Sequence, residues 1–365
     1  MNVPKLRFKE FNDEYGKLKY KDVLKIKSGK DQKQVEDENG KYPILGTGGQ
    51  IGKTNSFLYD KPSVLIGRKG TINKPQYMES PFWTVDTLFY SHIYEPNIPK
   101  YLFYSFQNVN WKKYDESTGV PSLSSSTIES VECSIPSPNE QIKVANFLSL
   151  LDKKIELQTK KIEDLKLFKK GLINSIGKNI EIEKIPLKNI LEEQNHKTIK
   201  NNEYEILSST SKGIYLQKDY FNKQAASDNN EGYKILKKNQ LVLSPQNLWM
   251  GNININSKYN IGIVSPSYKI FDINNNIDID FFDYWIKSPK ALYEYKISSE
   301  QGASIVRRNL NMDLFYEIKV DIPKGKMQNK LGKIIKLLNL KIQYNENLLQ
   351  KLQELKKGLM QNMFV

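Results

Sequence analysis

The tetrapeptide Lys169-Lys-Gly-Leu172 returns as Lys356-Lys-Gly-Leu359, 187 residues later, and the reading of that recurrence decides the fold. The same offset carries Ile135-Pro136 onto Ile322-Pro323, Gln141 onto Gln328 and Leu151 onto Leu338. No gap is needed from about residue 133 to 177, so the match is a duplicated segment.

The duplicated segment reads as a long helix. Leu148, Leu151, Ile155, Gln158, Ile162, Leu165, Lys169, Leu172 and Ile176 follow one another at spacings of three and four. The second copy places Ile335, Leu338, Ile342, Asn345, Leu349, Leu352, Lys356, Leu359 and Met363 at the same positions. Such spacing is a heptad seam. Both copies are polar at two shared places, Gln158/Asn345 and Lys169/Lys356, where polarity weakens packing but fixes register and partner. Pro136, Pro138 and Pro323 stand ahead of the helices, where proline interrupts nothing.

Each helix follows a region of mixed character. Short β-rich runs (Ser63-Val-Leu-Ile66, Thr87-Leu-Phe-Tyr90, Leu241-Val-Leu243, Tyr268-Lys-Ile-Phe271) are punctuated by Gly, Pro and Asn. An aromatic-rich helix (Pro99 to Trp111; Asp280 to Tyr295) then leads to a polar loop, Ser117-Thr-Gly-Val-Pro121 or Ser298-Ser-Glu-Gln-Gly-Ala-Ser304. A last strand (Val131 to Ile135; Glu317 to Ile322) feeds the long helix. The expected class is α+β: two tandem α/β globules joined by two long antiparallel coiled-coil helices, in a pseudo-two-fold internal repeat. The expected segments are 1–138 and 179–322 for the globules, and 139–178 and 323–365 for the helices. A helix of about 39 residues spans roughly 58 Å, which makes the pair a spacer of fixed length with a globule at each end.

The chain has 365 residues, enough for two or three domains with real cores. No apolar run is long enough to cross a membrane, and the opening residues lack the apolar stretch of a secretory signal, so a cytoplasmic protein is expected. The one cysteine, Cys133, excludes a disulfide framework; His92 and His196 stand far apart without ligand-like neighbours, against a His/Cys metal site.

Catalytic motifs fail on inspection. Gly46-Thr-Gly-Gly-Gln-Ile-Gly-Lys-Thr54 misses phosphate-loop spacing by one residue, and extended chain follows it instead of a helix. It reads as a Gly-rich turn between strands. Ser265-Pro-Ser-Tyr268 approaches the adenine-gripping motif of amino-methyltransferases but lacks its second proline, and reads as a strand-entry turn. No nucleophile–base arrangement is available to one cysteine and two histidines, so a non-catalytic chain is expected.

Binding chemistry is better represented. In Leu65-Ile-Gly-Arg-Lys-Gly-Thr-Ile-Asn-Lys74 a strand enters a cationic turn; Arg68 suits a guanine edge, and Lys69 and Lys74 suit phosphates. Leu243-Ser-Pro-Gln-Asn-Leu-Trp-Met-Gly-Asn252 takes the matching place, with Gly70-x-Ile72 repeated as Gly251-x-Ile253 and the amides of Gln246 and Asn247 suited to adenine. The polar loops add Lys112, Lys113, Ser117 and Thr118 in the first region, and Ser304, Arg307 and Arg308 in the second. The arginine pair stands out because only four of the 55 basic residues are arginine. The aromatics Tyr77, Trp83, Trp111, Trp249 and Tyr259 read as core.

With these residues in place the chain resembles the specificity (S) subunits of type I restriction–modification systems. The resemblance rests on Pro4-Lys-Leu-Arg-Phe8, Tyr42-Pro-Ile-Leu-Gly46 with Gly49-x-Ile-Gly52, Leu65-Ile-Gly-Arg-x-Gly70, and Ile135-Pro136 with Glu140-Gln141 entering the heptad helix. The second copy of the same plan completes it. It implies two target-recognition domains, each reading half of a split site in double-stranded DNA, with the helices as spacer and docking surface. It implies no cofactor on this chain. S-adenosylmethionine, ATP and magnesium would belong to partners: two modification subunits that methylate adenine and two restriction subunits that translocate and cut. A stand-alone structural or regulatory DNA binder, using the helices only to associate, is the alternative. The second helix lacks the Glu of Glu140-Gln141, which is expected to weaken its N-terminal cap.

The formal net charge is +14. By region it is +3 over 1–138, +4 over 139–178, 0 over 179–322 and +7 over 323–365, so most of it belongs to the helical segments. If the helices set the spacing, deleting one heptad from both removes about 10 Å, roughly three base-pair rises. The gap of the methylated motif is then expected to change while its half-sites stay the same, which methylome sequencing reads directly.

Overall fold

The computed structural model describes residues 2–177, 180–220, 229–301 and 308–365. Its contacts group into two units, Met1–Lys161 with Asn345–Val365, and Ile162–Tyr344. The division falls inside both long helices, Pro138–Gly177 and Met327–Met363.

In the first unit, strand Gly16–Lys19 pairs antiparallel with Glu132–Ile135, the strand that leads into the first long helix. A four-stranded antiparallel sheet runs in the order Leu24–Lys27, Leu88–Ile93, Ser63–Gly67, Gln76–Met78. All five residues of Ser63–Gly67 are buried, so this strand is covered on both faces. Val64 and Ile66 face one core with Tyr101, Leu102 and Phe106 of helix Pro99–Asn108 and with Val144 and Leu148 of the long helix. Leu65, one residue out of phase, joins Leu45, Phe82 and Leu88 on the other face. That second face is roofed by a hairpin, Tyr42–Gly46 with Gly49–Thr54. The end of the second long helix completes the first core: Met360, Met363 and Phe364 are buried there, and Phe364 stacks on Tyr101 at 5.3 Å.

The second unit repeats the plan. Strand Ile182–Pro186 pairs with Lys319–Pro323. The sheet order is Leu191–Gln194, Lys269–Ile273, Leu241–Leu243, Ile253–Ile255, again antiparallel throughout. Leu241 and Leu243 face the larger core with Phe281, Phe282 and Ile335; Val242 faces the smaller one with Leu207 and Val264. A hairpin, Leu207–Thr210 with Gly213–Leu216, lies on that smaller-core side.

The heptad seams are buried or half-buried at every described position from Leu148 to Leu172 and from Ile335 to Met363. The polar positions pair within each unit. In the first, Gln158 Nε2 donates to Asn345 Oδ1 at 2.9 Å and to its carbonyl at 3.0 Å. There Lys356 forms an ion pair with Asp152 at 2.6 Å and lies over the Tyr104 ring. In the second unit, Lys169 donates to Asn339 Oδ1 at 2.6 Å and lies over Tyr284. Asn339 stands where the repeat has Asp152, so Lys169 meets no carboxylate on the facing helix, and burial pushes its pKa down.

Four expectations are corrected. The aromatic-rich stretch from Asp280 to Tyr295 is two helices, Ile279–Trp285 and Pro289–Ile297, because Pro289 starts a new helix under a Ser288 cap. Pro99 to Trp111 likewise ends as a helix at Asn108, and Trp111–Tyr114 forms a separate 3-10 turn. Glu140 caps nothing. Its buried carboxylate accepts from Arg7 Nε and Nη2, each at 2.8 Å, and from the Tyr15 hydroxyl at 2.9 Å, which fastens the N-terminal segment to the helix. Pro138 is itself the first helical residue.

What both helices do share at their starts is the glutamine. Gln141 accepts from Ile98 N at 2.9 Å, and Gln328 accepts from Asp278 N at 3.2 Å. Ile98 and Asp278 are the N-cap residues of Pro99–Asn108 and Ile279–Trp285, so the repeated glutamine ties each long helix to the aromatic helix of its core. Removing Arg7 leaves Glu140 buried without its counter-charge. Arg7→Ala is expected to destabilise the first unit by about 3–5 kcal/mol, seen as a lower urea midpoint.

Candidate nucleic-acid interface

The turn after Ser63–Gly67 is held by the backbone. Arg68 N donates to Thr87 O at 2.8 Å, Leu123 N donates to Arg68 O at 2.9 Å, and Gly70 N donates to Pro121 O at 2.8 Å. Gly70 takes φ +94°, a left-handed value that suits glycine. Arg68 and Lys69 are exposed on this strapped turn, and Lys74 is exposed just beyond it. The polar loop is therefore contiguous with the turn, as its last residues supply the straps.

That loop is organised by Asp115. One carboxylate oxygen accepts from Ser117 N, Ser117 Oγ and Ser122 N at 2.8–3.0 Å. These bonds, the Ser122 amide first, hold the Asp115 pKa below its ordinary value. Ser117 thus turns inward to the loop, while Thr118 is exposed. Lys112 and Lys113 lie exposed on the 3-10 turn that precedes it.

In the second unit the matching turn is longer. Gly251 takes φ +87° and the bond from Ile253 N to its carbonyl, 2.9 Å, repeats that from Ile72 N to Gly70 O, 3.0 Å. Gln246 is exposed, and its carbonyl accepts from Arg308 N at 3.2 Å. Asn247 is half-buried and anchors the turn through its backbone, giving its N–H to Ser244 and accepting from Met250 and Asn252. Ser304 and Arg307 lie outside the described residues.

Arg308 is not displayed as expected. Its guanidinium donates to Ser299 Oγ at 2.9 Å, to Lys296 O at 3.3 Å and to Ser299 O. The side chain is spent on the end of helix Pro289–Ile297, while its backbone N–H holds the Gln246 turn, so its structural role is to brace that turn. Of the aromatics, Tyr77, Trp83, Trp111 and Tyr259 stay in or against the cores. Trp111 Nε1 donates to Phe106 O, Trp83 Nε1 to Lys30 O, and the Tyr259 hydroxyl accepts from Leu216 N.

Sequence reasoning missed Asp115, for which the Asp-x-Ser spacing of an Asx turn was the available signal. It also missed the hairpin tips, which only the fold brings beside the turns: the Cβ direction of Gly70 meets Thr47 Oγ1, and Ser209 Oγ donates to Asn252 Oδ1 at 2.8 Å. Among the described residues no group of His, Cys, Asp or Glu is placed to hold a metal ion, and no helix is long and apolar enough to cross a membrane.

Comparison with known proteins bears on this arrangement. Residues 12–167 match the type I restriction modification DNA specificity domain. The specificity subunit of the Escherichia coli type I restriction enzyme EcoDI is 24% identical over 148 residues, 40% of this chain and 32% of that protein, so the match spans about a third of the curated relative. The crystal structure of a type I restriction–modification S subunit from M. genitalium has the same fold over 100% of this chain and 99% of its own, with TM-score 0.69 and 19% identity. A chain from a structural study of type I R-M complex assembly and conformational transition matches over 95% of this chain and 96% of its own, with TM-score 0.50 and 8% identity. Over residues 12–167 the chain is therefore similar to the type I DNA specificity domain, and over its whole length it shares the fold of the M. genitalium S subunit. The second unit, outside that match, repeats the sheet order and hairpin of the first.

Because the Asp115 pKa is depressed, the order it confers is complete above its ordinary value of 3.8 and is lost as pH falls through the lower folded value. Amide protection at Ser117 and Ser122, read by NMR, is expected to persist at about pH 5 and to vanish at lower pH, and Asp115→Ala is expected to remove it throughout.

Proposed function

We propose that this chain recognises a bipartite site in double-stranded DNA as the specificity subunit of a type I restriction–modification complex. Each unit reads one half-site, and modification and restriction subunits carry the chemistry with S-adenosylmethionine, ATP and magnesium. The observation that carries the reading is the duplication of one specificity-domain plan within a single chain, with a strapped, solvent-facing turn at the same place in each copy. Arg68 and Gln246 are the side chains presented there.

The helices supply support for the partners. Apolar side chains lie exposed at matching repeat positions: Leu150 at 68% and Leu337 at 65%, Leu157 at 59% and Tyr344 at 69%, Phe168 at 58% and Leu355 at 52%. These residues lie off the buried seam, and such patches mark association surfaces. Because each occurs twice, two copies of one partner fit, and the two modification subunits are those copies. Base reading then rests on few side chains, since the globular segments are nearly neutral.

Co-expression with a type I modification subunit is expected to yield a complex of one specificity chain and two partners by light scattering. Leu150→Asp is expected to remove one partner and Leu150→Asp with Leu337→Asp both, without loss of fold. A chain that binds a specific site tightly alone and forms no complex would establish the stand-alone reading instead.

A further inference from the structure

Both units carry a hairpin on the sheet face opposite the aromatic helices, and both hairpins are braced in the same way. In the first, the hairpin Tyr42–Gly46/Gly49–Thr54 also pairs in parallel with Trp83–Thr84. In the second, Leu207–Thr210/Gly213–Leu216 has its parallel bridge at Ile206 and Ile263. The brace comes from the fourth sheet strand. Gln76 Nε2 donates to Gly46 O at 2.9 Å and Thr47 O at 3.3 Å. Asn254 Nδ2 donates to Thr210 O at 2.8 Å and Ser209 Oγ at 2.9 Å. Gln76 pairs in register with Leu65, and Asn254 with Val242, equivalent positions on the strands that enter the two turns. One amide in each unit therefore fixes a hairpin tip to the sheet beside the turn, Thr47 near Gly70 and Ser209 on Asn252.

The tips themselves are unlike. Thr47-Gly48-Gly49-Gln50 is glycine-rich, and a Cβ at Gly48 or Gly49 would meet nothing within 4 Å, so open space flanks the backbone there. Gly49 takes φ +113°. Gln50 is exposed next to it. The second tip, Thr210-Ser-Lys-Gly213, exposes Ser211 and Lys212, and the Thr210 hydroxyl closes it by donating to Gly213 O at 3.1 Å. A shared brace holding unlike tips is the arrangement expected of a reading element, in which the scaffold fixes position and the tip supplies chemistry.

We infer that each hairpin tip is a second DNA-contacting finger beside the turn, with Gln50 and Lys212 as specificity-determining side chains and Gln76 and Asn254 as the positioning residues behind them. The Gln50 amide matches the donor–acceptor edge of adenine, and the Lys212 ammonium matches the acceptors of guanine. The bare backbone at Gly48 and Gly49 admits a phosphate at close range. The inference rests on the DNA-recognition reading above.

The test is methylation of a library with both half-sites randomised, by the complex of this chain with its modification subunit. Wild-type complex that methylates no split motif fails the recognition reading itself. With a wild-type motif in hand, Gln50→Ala is expected to relax one base pair of one half-site roughly five- to a hundred-fold, and Lys212→Ala one of the other half-site. Gln76→Met, which keeps the side-chain length without the donor, is expected to relax the same half-site as Gln50→Ala, leave the other intact, and add nothing when the two are combined. An unchanged motif in both tip variants overturns the inference. Uniform loss over all sequences with Lys212→Ala overturns base reading by the second tip, and additive losses for Gln50 and Gln76 overturn the positioning role.

Discussion

Each long helix has to finish two cores. The first places Val144, Ala145 and Leu148 in the core of the first unit and Ile173 against that of the second. The second places Leu331 and Ile335 in the core of the second unit and Met360 and Met363 in that of the first. Each core thus takes residues from both long helices, so both depend on the seam holding register. Register is set by polar side chains: Gln158 meets Asn345, the same repeat position on the other helix, at 2.9 Å. The contacts Asp152–Lys356 and Lys169–Asn339 are reciprocal under the 187-residue offset, as in an isologous interface. A slip of one heptad would part all three pairs while still setting apolar seam positions opposite one another, which is why these positions are polar despite the cost.

The helical part of this was open to reading from the chain alone, because periodicity and a gap-free repeat survive in one dimension. So were the central strands, whose short β-branched runs are bounded by Gly, Pro and Asn, and the Gly70/Gly251 correspondence, since a left-handed turn demands glycine in both copies. The Ser288-Pro289 break was also written in the sequence, as a cap followed by an N1 proline, but the aromatic periodicity on either side masked it. What could not be read is what depends on distant partners. Glu140 looks like half of a capping box until Arg7, 133 residues away, takes its carboxylate. Arg308 looks like a scarce cation on display until the backbone of its own unit claims its guanidinium.

The candidate interface shows the same division. Arg68 and Gln246 were visible as polar residues after a buried strand, but not the backbone bonds from Leu123 and Arg308 that hold their turns. Those bonds matter to recognition because a base-reading side chain on a loose turn must be ordered on binding, and the cost of ordering comes out of affinity. Here the polar loop, itself closed by Asp115, has already ordered the first turn.

Electrostatics then separates two tasks. The two globular segments carry +3 and 0, and the helical segments +4 and +7. A globule with little net charge gains little from long-range attraction to phosphate, so the globules themselves are expected to contribute little to non-specific binding. Discrimination between sequences is less affected, because it comes from a few directional contacts whose worth depends on placement. The scaffold meets that requirement twice with the same parts, a strapped turn and an amide-braced hairpin, while the turn after Ser63–Gly67 and that after Leu241–Leu243 differ in length and chemistry. On the proposed function, two copies of one fold read unlike half-sites in this way: the parts that fix geometry are common to both, and the parts proposed to touch bases are free to differ.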